Sequence, residues 1–562
     1  MSVIHPGLAS RLRPVVVWGV WTMMLLVALV AIARYGPEIP RAEDWLLVAP
    51  LTGNEANLGR WLWEQNGEHR VPLPRLAYLA LLKLTRADFR AGMIFNTFAI
   101  AGLAAAMMLA ARRLRGRSSY ADAFFPLAFL HLGHWDNLVW SWQIQFVLST
   151  LFASAFLLII VFRGANLTPL TGGLAGFCLV ALPLCGANGL VLVPPFAAWL
   201  GFVAFRSWRL DAVPRARTVA LILSVSVGVA LVLTSVYFLG YERPSGYPAN
   251  PGLGATAKIA ASFLAMSFGP AAASWRALVV AILVVIAATT LLLAGEVRSG
   301  SVEGRRRALG LLCFTLAIVA LALAVGWGRA GYLADRSLSR RYALLAVPVL
   351  CTAFFAWELH ASRRWATRGQ TAFLILAVAL LPGNTLRGFA TRNWVQAGMD
   401  AVRQDIRTGM PRPLLAERHG PFLLHWDGER LAAGMRMLDV AGIAPFVGLR
   451  EDFAVEEIRV QPAGVTDNGG RVAVRLDGPR RVYAIRMPVA GAGSPTTTGV
   501  RIAWEGRERG TGLAPVPTSR PDEPEARTAT VWINDVIDGF WIESAHPEAL
   551  RGLRLALVTP QD

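Results

Sequence analysis

Charge is scarce in this sequence. Asp, Glu, Lys and Arg make up 16% of its 562 residues, against about 25% in a soluble globular chain, while 54% are hydrophobic. That balance excludes an ordinary soluble protein and implies an integral membrane protein with a polar appendage. Acids are the scarcer sign, 37 against 55 Lys and Arg, for a formal net charge of +18. Such a surplus would suit nucleic acid. The arginines, however, sit in short clusters between apolar segments, which reports membrane topology, so nucleic acid is set aside. Cysteine is nearly absent too. Cys178, Cys185, Cys313 and Cys351 lie in or beside apolar segments without metal-ligand spacing, which excludes a disulfide framework or zinc site and leaves small core residues. No sequence repeat is evident.

Long apolar runs are what the chain has instead. Residues 15–33 are uncharged and long enough to cross a bilayer, at about 20 residues per span. Arg11 and Arg13 precede them, which places the N-terminus in the cytoplasm. Ala31-Ile32-Ala33 fits a small-residue cleavage pattern, but the run exceeds the usual length of a signal peptide, so it reads as a retained anchor. Further runs at 90–111, 120–133, 138–162, 172–184, 189–205, 219–239, 277–294, 309–327, 342–357 and 371–382 bring the expectation to about eleven spans. Placing alternate connections on alternate sides puts Arg112–Arg117, Arg163, Arg206–Arg217, Arg298 with Arg305–Arg307, and Arg363, Arg364 and Arg368 on one side. These loops hold few acids, as expected of a cytoplasmic face. An odd number of spans then leaves the C-terminus outside.

The organisation expected is an α-helical polytopic membrane domain over residues 1–390, including a structured first outer loop at 34–88, and an outer β-rich domain over 391–562. In that loop, residues 45–51, 58–63 and 73–84 look like short helices lying in the membrane interface, with Trp45, Trp61 and Trp63 as anchors. After Thr391, alternating runs at 454–460, 471–476, 481–487, 499–504, 528–533 and 553–558 read as strands. They are separated by turn signals such as Asp467-Asn468-Gly469-Gly470 and Asp477-Gly478-Pro479, and together they suggest a small β-sandwich.

Four groups on the outer side could carry chemistry. Glu43-Asp44 follows the first span; a carboxylate there could take the proton of an attacking hydroxyl, or simply cap the next helix. Glu68-His69-Arg70 sets an acid, a tunable base and a phosphate fork side by side, although a charge run is usually a solvated turn. His134, Asp136, Gln143 and Gln145 lie among tryptophans where amides could bond sugar hydroxyls and rings could stack on sugar faces. Helix-to-helix hydrogen bonds are the plainer account of them. Arg329, Arg336, Arg340 and Arg341 run against the charge rule, and an arginine fork matches phosphate oxygens. Arg340 and Arg341, with Arg336 nearby, are the preferred phosphate ligands, and pairing with Asp335 or with the outer-loop acids is the competitor.

The outer acidic pair, Glu68-His69-Arg70, the Trp/Gln-rich junction and Ser339-Arg340-Arg341-Tyr342 together resemble the GT-C superfamily of membrane glycosyltransferases, over about residues 15–381. The resemblance implies a bacterial inner-membrane enzyme with the outer domain in the periplasm. It implies transfer with inversion from a polyprenyl-phosphate sugar to an envelope glycan, lipid or protein, with Asp44 or Glu43 as base. Glu68, His69, Arg70, His134, Asp136, Gln143, Gln145 and Tyr342 would then meet substrate. Some relatives need a divalent cation such as Mg or Mn, for which no ligand set is evident. Strand content in the C-terminal domain is similar to that of carbohydrate-binding sandwiches, with Trp504, Trp532 and Trp541 as sugar platforms or core residues. The competing readings are a flippase for lipid-linked saccharides, a noncatalytic glycan-binding scaffold and, more weakly, a histidine-centred acyltransferase using His69 or His134. Related halves with broken midplane helices would mark the flippase; polar residues gathered on one side favour an enzyme.

Overall fold

A computed structural model describes residues 6–209, 214–332, 338–424, 427–460, 471–488, 500–517, 528–544, 550 and 553–561. The chain divides into two compact units, Met1–Pro40 with Ala49–Gln396, and Arg41–Val48 with Ala397–Asp562.

The first unit is helical. Among the described residues, nine helices are long and apolar enough to cross a membrane, which makes the chain a multi-pass membrane protein. Helix ends carry their own stop and start signals. Arg112, Arg113 and Arg115 close the helix Ala91–Arg115, where cations favour the negative end of the dipole. Ser301 opens Val302–Arg329 by accepting the Gly304 N–H at 3.0 Å. Aromatic rings fill the interior, as where Phe125 meets Phe354 at 4.7 Å and Phe156 stacks on Phe196 at 4.3 Å. Near one end, Arg115 joins Asp122, Glu358 and Gln370 at 2.9–3.1 Å, tying three helices through one half-buried guanidinium.

Two expected spans take another form. Residues 120–138 break into Tyr120–Ala123, Phe124–Leu130, Leu132–His134 and Trp135–Leu138. Every residue from Ala121 to Thr150 except Asp136 is buried, and protein interior is where broken backbone in an apolar setting is tolerated. Residues 172–184 form the shorter helix Pro169–Ala181 with a 3-10 turn Pro183–Cys185. The expected outer loop at 241–270 contains an unanticipated helix, Leu253–Ala265. The last helix, Arg363–Arg407, continues well past Pro382, where its span was expected to end. In the first loop, Trp61 is buried beneath the Arg75 guanidinium, 5.3 Å from its ring centroid, so it packs inside the protein instead of anchoring at an interface.

The second unit holds the helices Arg412–Leu423 and Gly428–Val440 and six strands: β1 Phe453–Arg459, β2 Arg471–Pro488, β3 Arg501–Gly506, β4 Gly510–Pro515, β5 Thr528–Glu543 and β6 Arg554–Pro560. All six hydrogen-bond into one antiparallel sheet in the order β1-β6-β2-β5-β3-β4. A facing second sheet is not among the described residues. The turn expected at Asp477-Gly478-Pro479 is an irregularity inside one long strand, where β2 slips register against β5 between Arg475 and Arg480. The Asp467–Gly470 signal lies outside the described residues. One face is apolar, with Val472, Val482, Ile485, Ile533, Phe540 and Ile542 in a shared core.

Candidate functional site

Within the first unit, the ends of four helices surround a cavity of about 190 Å3. Phe146 comes from the start of Ile144–Arg163 and Asn188 from the start of Ala187–Arg209; Arg329 ends Val302–Arg329, and Tyr342 precedes Ala343–His360. Each of these helices carries arginine at or just beyond its opposite end: Arg163, Arg206 with Arg209, Arg305–Arg307, and Arg363 with Arg364.

Glu68 and His69 reach the cavity from a tight turn, closed by Asn66 N–H to His69 O at 2.8 Å and His69 N–H to Asn66 O at 3.0 Å. The Glu68 carboxylate pairs with Arg329, whose Nε donates to the Tyr342 hydroxyl at 2.9 Å. His69 Nδ1 accepts the Ala187 N–H at 3.3 Å and Nε2 lies 3.4 Å from Glu68 Oε1. This arrangement puts the imidazole proton on Nε2, facing Glu68. Burial, then Arg329 and Arg341, push the His69 pKa down from its usual range to about 3, so the ring is neutral. The positive N-terminus of Ala187–Arg209 acts in the same direction. Gly186, at φ 104°, allows the approach: a Cβ there would lie 3.0 Å from Val71 and 3.3 Å from Asn188 Oδ1.

Buried polar atoms without partners lie at the starts of two of these helices. Asn188 Nδ2 donates to Ser149 Oγ at 2.6 Å, and Ser149 donates to Gln145 O at 2.7 Å. The Asn188 Oδ1, both amide atoms of Gln143 and the Gln145 Oε1 are buried and have no hydrogen bond among the described residues. A buried amide left unpaired costs about 1–3 kcal/mol, so these atoms are suited to a polar ligand. The Arg341 guanidinium lies 5.8–6.0 Å from the Trp140, Phe146 and Tyr342 ring centroids, and its carbonyl accepts from Asn137 at 3.0 Å.

The other expected residues are distributed differently. Arg340 bonds Thr391, and Arg336 lies outside the described residues. Arg70 is engaged in structure: its side chain donates to the carbonyls of Tyr237, Trp63, Leu239 and Gly240 at 2.7–3.1 Å, occupying most of its five donors. His134 is buried, stacked 4.3 Å from His131 and bonded to Ala128 O at 2.9 Å, and Asp136 is half-buried. Glu43 and Asp44 belong to the second unit, on the 3-10 turn Ala42–Leu47. Asp44 is buried, with Oδ2 accepting the Arg41 N–H at 3.2 Å, and Trp45 beside it packs on Phe446 at 5.6 Å. Ala42 adopts φ 50°, a left-handed conformation that costs a residue with a Cβ about 1–3 kcal/mol and concentrates at functional sites.

Among the described residues, no three His, Cys, Asp or Glu side chains cluster as metal ligands, and Glu68 with His69 does not make a set, so no step is drawn through a cation. Arg329 with Glu68 makes the pairing of an outer arginine with an outer-loop acid that was the alternative to phosphate binding, whereas Ser149 and the placement of Asn188 escaped the sequence reading. The available signal for Asn188 was a lone amide opening an apolar helix. Compared with known proteins, the sequence matches no family model and no curated protein.

Proposed function

We propose that the chain is a glycosyltransferase of a bacterial inner membrane, moving a sugar from a polyprenyl-phosphate donor to an envelope glycan, lipid or protein. One observation carries this reading. The cavity gathers a carboxylate, Arg329, a neutral imidazole and the unpaired Asn188 oxygen at the helix ends opposite the arginine clusters, with Arg341 beside its Phe146 and Tyr342 walls. By the positive-inside rule, that end faces away from the cytoplasm. Arginines there suit the donor phosphate, and the amides and imidazole suit sugar hydroxyls.

In the reaction, a carboxylate removes the proton of the acceptor hydroxyl as its oxygen attacks the anomeric carbon. The bond from that carbon to the phosphate oxygen breaks, its electron pair leaves on polyprenyl phosphate, and the configuration inverts. The GT-C resemblance assigns the base to Asp44, with Glu43 beside it; Glu68 is the carboxylate of the cavity itself. We also read the broken segment 120–138 and the short helix Pro169–Ala181 as the crossings that complete about eleven. With them, the arginine clusters fall on the cytoplasmic side and the sheet unit in the periplasm.

The test is transfer by the purified protein in liposomes from radiolabelled polyprenyl-phosphate sugars, comparing wild type with Asp44→Asn, Glu43→Gln and Glu68→Gln. Wild type should transfer, and loss of the base should reduce the rate by about 10²-fold or more with donor binding kept. Unchanged transfer in all three variants would remove the carboxylate assignment. No turnover of any donor by wild type would overturn the function.

A further inference from the structure

The sheet of the second unit carries a cleft on its open face. On β5, Phe540 and Ile542 point into the core, while Trp541 stands on the open face with 38% of its surface exposed. Register places Ala473 of β2 and Ala503 of β3 directly beside it, so methyl groups alone flank the ring across the sheet. Two residues earlier, Gly539 faces Arg475, and a Cβ at Gly539 would lie 2.6 Å from the Val474 carbonyl oxygen. Gly539 and Trp541 both line a cleft of about 440 Å3, within the range of small-ligand sites.

Charged groups of both signs rim the cleft: Arg475, Glu505, and Arg507 joined to Asp538 at 2.9–3.0 Å. The β3–β4 hairpin holding Glu505 and Arg507 is pinned from below, because the fully buried Asp535 accepts the N–H groups of Glu508 at 3.0 Å and Arg509 at 2.9 Å. The two other candidate tryptophans are engaged elsewhere. Trp504 packs against Gly512 of β4, and Trp532 lies 5.8 Å from the Arg418 guanidinium.

We propose that this cleft binds a neutral saccharide unit, its ring stacked on Trp541 and its hydroxyls bonded by Arg475, Glu505 and the Arg507–Asp538 pair. A flat aromatic face beside fixed donors and acceptors matches a sugar, which has one apolar face and a rim of hydroxyls. Two cations offset by two anions give no net attraction for a polyanion. The proposal does not depend on the transfer reaction, and its test needs no donor.

Full-length protein in lipid nanodiscs is titrated with neutral hexasaccharides of glucose, mannose, galactose and rhamnose, and with polygalacturonate, by calorimetry. At least one neutral hexasaccharide should bind. Trp541→Ala and Ala473→Arg, the second covering the ring from the neighbouring strand, should each weaken binding by about tenfold or more, as removal of a Trp anchor does. Melting by circular dichroism checks that each variant is folded, and Ala473→Arg decides if Trp541→Ala is not. Binding of polygalacturonate alone, no binding of any hexasaccharide, or wild-type affinity in the folded variants would each overturn the assignment.

Discussion

His69 draws its chemistry from its surroundings more than from its own ring. A fifth of its side chain is exposed, yet Ala187 N–H occupies its Nδ1 and two arginines oppose a further positive charge. Folded His69 stays neutral down to about pH 3, whereas the unfolded residue takes a proton near pH 6.5. Its contribution to stability is therefore intact above pH 6.5 and is lost as the pH falls toward 3, by up to about 1.4 kcal/mol per unit and less for the exposed fraction. Thermal unfolding of wild type and His69→Gln at pH 7, 5.5 and 4.5 should show wild type losing more stability on acidification. Parallel curves would contradict that. Gly186→Ala should lose about 1–2 kcal/mol from its left-handed backbone and, by crowding Asn188 Oδ1, weaken donor binding; melting and binding assays read the two effects separately. At this scale, Glu68 and His69 were legible as a polar run beside a helix. Pairing of the outer arginines with outer-loop acids was legible as the alternative to phosphate binding, but the particular partner of Glu68 was not, because Arg329 lies 261 residues along the chain.

Elements were legible where one rule governed them. Long uncharged runs became long helices, and alternating runs became β1, β3, β5 and β6. The reading failed where tertiary context overrode the local pattern. Residues 120–133 are apolar enough for a span, but interior packing accommodates breaks that lipid would not. Asp477-Gly478-Pro479 reads as a turn, yet pairing with β5 carries the strand through it. Helix Leu253–Ala265 was hidden in an apparent loop. Another element-level device is the end of the helix Arg363–Arg407. There Asp405, 1% exposed, contacts His419 at 2.8 Å, Arg418 at 3.0 Å, Arg509 at 3.1 Å and Asn534 at 2.7 Å. Asp405→Asn removes the charge that balances two arginines and should destabilise the sheet unit by about 3 kcal/mol, the low end for breaking a buried pair, since the arginines keep partial water contact. Calorimetric melting that leaves the sheet transition in place would contradict this role.

For the whole molecule, charge asymmetry carries the argument. Arginine clusters at one set of helix ends and polar residues gathered at the other were legible from the order of the loops along the sequence, because sidedness is written in loop charge. Single cysteines in a background with the native four replaced by alanine test it. Under a membrane-impermeant maleimide applied to spheroplasts, cysteines at Ser245, Ser339 and Thr511 should react, and those at Ser118 and Ser299 should react only after permeabilisation. The reverse pattern would place the cavity in the cytoplasm and remove the basis for a lipid-linked donor on the far face.

The most direct measurement is photolabelling of the membrane-embedded protein with a polyprenyl-phosphate sugar carrying a diazirine on the sugar, followed by peptide mapping. The account predicts label in the segments around Asn188, Trp327–Arg329 and Tyr342, competed by unlabelled donor and reduced in Arg329→Gln. Label confined to lipid-facing helix surfaces, or label insensitive to competitor, would contradict the assignment of this cavity to the donor.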